Sequence, residues 1–260
     1  MNPSQFLFDP TPFELGVIEL LDTTAPPGRY CAKNAVWHIN RATRIKDLDP
    51  EMAALRAITA EEESASALFH SIKRRHYAGA EKLKPRLHLH KNALIPFFQA
   101  VAEALQPVLE TNPFLTSPHL VIDANSSPKR LRLQFKVRGD DTVTATPDPP
   151  LNLILTENDR PFDYRDRLLA TARRLGFQSV QKHLANRAEQ RTRLLYAEDT
   201  GPARLGQPVQ PLLDVFRGTV FRNLTLFLLI DPYAEQQPFV QDSLAAFLDF
   251  VGANGSREVM

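Results

Sequence analysis

The chain reads as an α+β protein: an N-terminal helical bundle, a small antiparallel β-meander, and then helices placed to complete the bundle. Three observations carry this reading. Apolar residues recur by threes and fours between Tyr30 and Leu109, alternate within short β-rich segments from 119 to 155, and return to helical spacing after Asp163. The three regions are 1–112, 113–160 and 161–260.

The first helix, Tyr30 to about Ile45, carries a narrow stripe of Ala32, Ala35, Val36, Ile39 and Ala42 beside the polar Lys33, His38 and Arg41. Asp49 followed by Pro50 is an N-cap with proline at the first helical position, and opens a second helix to about His76. A third is expected from about Glu81 to Leu109, with Pro85 and Pro96 as its start and kink points. Four strands follow, "HLVID", "RLRLQFKVR", "TVTAT" and "LNLIL", separated by turn residues such as Ser126-Ser127-Pro128 and Gly139-Asp140-Asp141. Asp163 and Ser179 can cap two further helices, Pro211 can open an apolar one, and "FVQDSLAAFLDFV" makes a final amphipathic helix. The tail "GANGSREVM" has the composition of a disordered end.

Bulk composition narrows the function classes. The 260 residues carry 31 Lys+Arg against 30 Asp+Glu, so affinity for nucleic acid must come from local patches and not from net charge. A single cysteine, Cys31, excludes an intramolecular disulfide and a thiolate metal cluster, and fits a reducing compartment. The start lacks the charged-then-apolar plan of a signal peptide, and the longest apolar run, "LTLFLLI", is too short to span a bilayer. The expectation is a cytoplasmic protein with no membrane partner. Phosphate-loop, dinucleotide and H-E-x-x-H patterns are absent, and no metal or cofactor is expected.

The sharpest local feature is "ITAEEESASALF". On this helix Met52, Leu55, Ile58, Ala65, Phe69 and Ile72 form a row with one gap, and Glu62 fills it. A carboxylate at that place requires a base or a cation on the neighbouring element. The segment "RLHLHKN" supplies candidates. Extending the apolar row of Leu94, Phe97 and Val101 backward brings either His90 or Lys91 inward, and a turn near Ala78 sets them level with Glu62. Arg56, Arg86, His88 and Asn92 are further polar groups around the same seam.

The combination of "AKNAVWHINRA", "RAITAEEESASAL" and "RLHLHKNALIPF" resembles the HEPN superfamily of small helical domains, particularly its abortive-infection type, over about residues 30–110. The resemblance implies a helical bundle, frequent homodimerisation and metal-independent RNA cleavage by a spaced arginine–histidine pair. Carried onto this chain, it points to Arg86 and His90 as catalytic residues with Glu62 orienting them, and to Lys91, Asn92, His88 and Arg56 in support. Arg86 and His90 stand closer together than the family's pair, and Leu87 occupies the position where a polar residue is usual.

In "RLRLQFKVR", Leu131, Leu133, Phe135 and Val137 face one way, and Arg130, Arg132, Gln134, Lys136 and Arg138 the other. The four cations can either track a phosphate backbone or form a solvated face that discourages edge pairing. The helix around "ARRLGFQSVQKHLANRAEQRTRLL" adds a second basic surface. Two functions follow as expectations: an RNA-acting effector, a ribonuclease of the toxin kind in bacterial defence, or a non-catalytic module whose polar seam holds a homodimer or a regulatory protein partner.

Overall fold

The computed structural model describes residues 6–112, 114–116, 118–153, 156–157, 160–161, 164–174, 186, 189, 191–196, 201, 204–206 and 208–255. Helices dominate, and a small three-stranded antiparallel sheet completes the α+β fold among the described residues. The helices are α1 (Pro12–Leu20), α2 (Gly28–Ile45), α3 (Pro50–Arg74), α4 (His88–Asn92), α5 (Leu94–Thr111), α6 (Tyr164–Arg174), α7 (Val209–Ile230) and α8 (Pro238–Gly255).

The central element is α3. Asp49 caps it by accepting the Met52 N–H at 2.9 Å, and Pro50 sits where an N–H would have no helical partner. Fifteen of its 25 residues are buried, so the helix is covered on most sides and not along a single stripe. Alanine and serine fill much of that surface, which lets α2 and α7 approach closely. Gly28 at the start of α2 marks the closest approach: a Cβ there would stand 2.9 Å from the Phe227 ring and 3.3 Å from the Ala67 carbonyl. The expected row on α2, Ala32 to Ala42, is buried against this interface.

Three elements differ from the sequence reading. α1 was not anticipated, although Thr11 and Glu14 form a capping box: the Thr11 N–H donates to Glu14 Oε2 at 2.7 Å, and the Glu14 N–H donates to Thr11 Oγ1 at 3.2 Å. The expected long third helix is broken into α4 and α5. Pro96 has no N–H to offer the Asn92 carbonyl four residues back and its ring crowds that group, so the chain turns at Ala93 and starts again. The fourth strand does not join the sheet among the described residues. Pro149 and Pro150 precede it, the Leu151 N–H is taken by the buried Gln237 side chain at 2.6 Å, and Thr156–Glu157 pairs instead with Arg160–Pro161. Residues 154 and 155 of that segment, and the capping positions Asp163 and Ser179, lie outside the described residues.

The sheet runs β1 (His119–Asp123), β2 (Arg130–Val137) and β3 (Asp140–Ala145), in that order and antiparallel throughout. The inward set on β2 is as expected, with Leu131, Leu133 and Phe135 buried in the same core as the helices. α7 begins at Val209, two residues before Pro211, and α8 carries Gly252 through Gly255 as helix; 256–260 lie outside the described residues. One apolar core extends from Phe8 to Val251, and α7 packs on α1, α2 and α3.

The C-terminal ends of α3 and α7 are clamped together. Asp231, almost fully buried, receives Arg74 Nε at Oδ1 (3.1 Å) and the Ala25 N–H at Oδ2 (3.1 Å), while Arg74 and Arg75 both donate to its carbonyl. The two arginines thereby satisfy a carbonyl at a helix end that has no helical N–H left to bind. Asp231→Ala leaves Arg74 Nε and the Ala25 N–H without their side-chain acceptor, and is expected to lower stability by about 2 kcal/mol in chemical denaturation. A change within experimental error would contradict the clamp.

Candidate active site

The three consecutive glutamates of α3 point in three directions, because successive helical residues are rotated by roughly 100°. Glu61 is buried and exerts its charge on Arg222 of α7. Glu63, half-buried, faces α2, where it acts on Cys31 and His38. Glu62, buried in the gap of the apolar row, faces α4.

Glu62 is partnered on both oxygens. Oε1 lies 2.6 Å from His88 Nδ1, and Oε2 accepts from Lys91 Nζ at 3.0 Å. Arg191, from a helical turn at 191–195, places Nη1 3.7 Å from Glu62 Oε1 and 2.8 Å from His88 Nε2. Nη1 also stands 3.2 Å from His88 Nδ1, so the guanidinium lies against the ring beside both nitrogens and off the in-plane Nε2 lone pair, while the Glu62 contact is satisfied when Nδ1 carries the imidazole hydrogen. Lys91 is as buried as Glu62, whereas about half of the His88 side chain is exposed. The histidine thus stands at a boundary, held from below by a carboxylate and open above.

Two contacts in the connection deliver α4 to this place. Lys73 donates to the carbonyls of Ala80, Glu81 and Leu83, each at 3.1 Å, and the Ser66 hydroxyl shares its one hydrogen between the Glu62 carbonyl at 2.9 Å and the Pro85 carbonyl at 3.1 Å. Gly79, at φ +86°, makes the turn, a conformation that favours glycine. The loop is thereby fastened to α3 along its length, and α4 begins beside Glu62.

A cleft of about 230 Å³ opens here, lined by Ile58, Glu61, Glu62, His88, Asn92 and Arg191, with Thr192 at its edge. The charges lining it are the Glu61 and Glu62 carboxylates and the Arg191 guanidinium, which is ion-paired with Glu62. No group of three or more His, Cys, Asp and Glu side chains able to hold a metal ion occurs among those residues.

The structure brings together Glu62, Lys91, His88 and Asn92 from the sequence candidates, and separates the others from them. His90 faces away: its Nδ1 receives the Lys84 N–H at 3.4 Å and its ring stands edge-on to Phe247 at 6.3 Å. Burial, and then the charge of Lys84, push its pKa down, so it sits neutral against an aromatic cluster. Arg86 is exposed in the turn before α4 and makes no hydrogen bond or ion pair among the described residues. Arg56 lies on the α2 side, 5.7 Å from the Trp37 ring. The break at Ala93 explains the exchange of His90 for His88, since counting faces backward from Leu94 assumed one unbroken helix. In the sequence Arg191 is one of several cations of a basic surface, and its neighbours carry no sign of the long-range contact.

The cationic face of β2 is largely engaged within the chain. Arg132 is paired with Asp123 at 2.9 Å and Asp148 at 3.5 Å, Arg130 stands 5.3 Å from the Tyr233 ring, and Arg138 donates to the carbonyls of Asn112, Leu115 and Glu110. Lys136 also has an interaction partner. A free phosphate-tracking stripe of Arg130, Arg132, Lys136 and Arg138 is therefore replaced by a set of local anchors.

No helix among the described residues is long and apolar enough to cross a membrane. Compared with protein-family models, with curated proteins and with solved structures, the chain matches none of them.

Because Lys91 is buried, Glu62→Ala strands its ammonium and is expected to cost about 3 kcal/mol. Glu62→Ala combined with Lys91→Met should recover most of that loss in denaturant titrations, since it removes both charges. Additive losses in the double variant would show that the two side chains do not depend on each other.

Proposed function

We propose that the cleft beside Glu62 binds RNA and cleaves it without a metal, with His88 as the general base. The observation that carries this reading is the Glu62–His88 contact at 2.6 Å on a half-exposed imidazole with an arginine lying against its ring. A carboxylate on Nδ1 fixes the ring and its tautomer, while the outward nitrogen is left as the reactive one.

The chemistry follows from those positions. A phosphodiester entering the cleft draws the Arg191 guanidinium off the ring and onto its oxygens, which brings the phosphate beside the outward Nε2. Nε2 takes the proton of the ribose 2′-hydroxyl; the 2′ oxygen bonds to phosphorus and the bond to the 5′ oxygen breaks. A 2′,3′-cyclic phosphate and a 5′-hydroxyl result, the leaving oxygen taking a proton from water and the imidazolium returning its own to solvent. Arg191 offsets the charge that gathers on the phosphate in the transition state. Lys91 holds the second oxygen of Glu62 and is a positioning residue.

The sequence resemblance to HEPN domains implies the same class of reaction and an effector role in bacterial defence, but the present assignment moves the base from His90 to His88 and the cation from Arg86 to Arg191. A second reading is favoured by one observation: Glu62 is satisfied on both oxygens, as a purely structural contact would be. In that reading the seam holds a homodimer or a regulatory partner and performs no chemistry.

Incubation of purified protein with mixed RNA in chelator separates the two. Wild type should cut, His88→Ala should lose about 100-fold or more, Arg191→Ala should lose a comparable factor mainly in kcat, and His90→Asn and Arg86→Ala should stay within about threefold of wild type. Intact RNA with wild type, or full activity in His88→Ala, refutes the cleavage reading.

A further inference from the structure

A second cleft lies on another flank of α3, beside the glutamate next to Glu62. It is open, about 490 Å³ in volume, and lined by Tyr30, Cys31, Lys33, Asn34, Trp37 and Glu63. Tyr30 and Trp37 are seven residues apart on α2, hence on one face two turns apart. They are among the more exposed large rings of the protein, with 62% and 40% of their surfaces open. Cations gather around them: Arg29 stands 5.5 Å from the Tyr30 ring, and Arg41 and Arg56 stand 4.0 and 5.7 Å from the Trp37 ring.

We infer that this cleft binds a single unstacked nucleobase of RNA and that Glu63 selects guanine. Aromatic rings accept the face of any base, and arginines beside them suit the phosphates that accompany it. The carboxylate adds the choice. Two oxygens side by side can accept from guanine N1–H and its N2 amino group together, whereas adenine and cytosine offer a donor next to an acceptor and uracil offers a single donor between two acceptors. The Cys31 thiol, its pKa pushed up to about 11 by burial and by Glu63, stays neutral and leaves the carboxylate as the negative charge of the floor. A cationic ligand is disfavoured by the arginines that already stand over the rings. The inference rests on the RNA reading for its ligand class, and it names the base that the reading leaves open.

Trp37 is the chain's single tryptophan, so its fluorescence reports on this cleft directly. Full-length protein is titrated with GMP, IMP and AMP. Saturable quenching by GMP is expected, about tenfold weaker with AMP and intermediate with IMP, which lacks the amino group. Glu63→Gln should abolish the difference between GMP and AMP, and Tyr30→Ala, at an exposed position that leaves the core intact, should weaken both. Absence of saturable quenching by GMP at millimolar concentration, or equal affinity for GMP and AMP in wild type, overturns the inference. RNA cleavage measured on the same preparation tests the other cleft independently: GMP selectivity without cleavage supports the base site and removes the nuclease, and cleavage without quenching does the reverse.

Discussion

A helix covered on most of its sides cannot leave a carboxylate uncompensated, and α3 carries three in succession. The two that are buried take their cations from different neighbours, Arg222 of α7 for Glu61 and Lys91 of α4 for Glu62, while Glu63, half-buried, opens beside α2. The arrangement of the elements around α3 follows this demand as much as it follows the apolar rows. Burial supplies the cohesion, and the charges specify which element lies against which face.

The consequences concentrate on one seam. Lys91 and His88 are three residues apart on α4, one turn, so both reach the same carboxylate and one short helix supplies a buried cation and an exposed imidazole. Lys73 and Ser66 tie the preceding loop to α3, which keeps that turn in place without long helical propensity of its own. The result is a rigid support under a half-exposed histidine, the condition that acid–base chemistry requires.

Much of this is legible in the sequence. The gap at Glu62 in the row from Leu55 to Ile72, the Asp49–Pro50 cap and the inward face of β2 are all local patterns, and local patterns survive folding. Met52 stands exposed at the head of the row, where α3 emerges from its neighbours. What was not legible depended on geometry between elements. The proline at 96 announced a kink but not its rotation, and that rotation decides between His88 and His90. Arg191 reaches Glu62 across 129 positions, and nothing in its own neighbourhood separates it from the other arginines of the segment. The basic residues of β2 were visible as a stripe; their acceptors, Asp123, Asp148 and the carbonyls near Asn112, were not.

The central claim is that the Glu62 carboxylate holds the His88 imidazole by Nδ1. Long-range 15N–1H correlation spectra of labelled protein at pH 8 report directly which ring nitrogen carries the hydrogen. The account predicts a hydrogen on Nδ1 and a bare Nε2 in wild type, with the preference lost in Glu62→Gln. A wild-type ring protonated on Nε2, unchanged by that substitution, would contradict it.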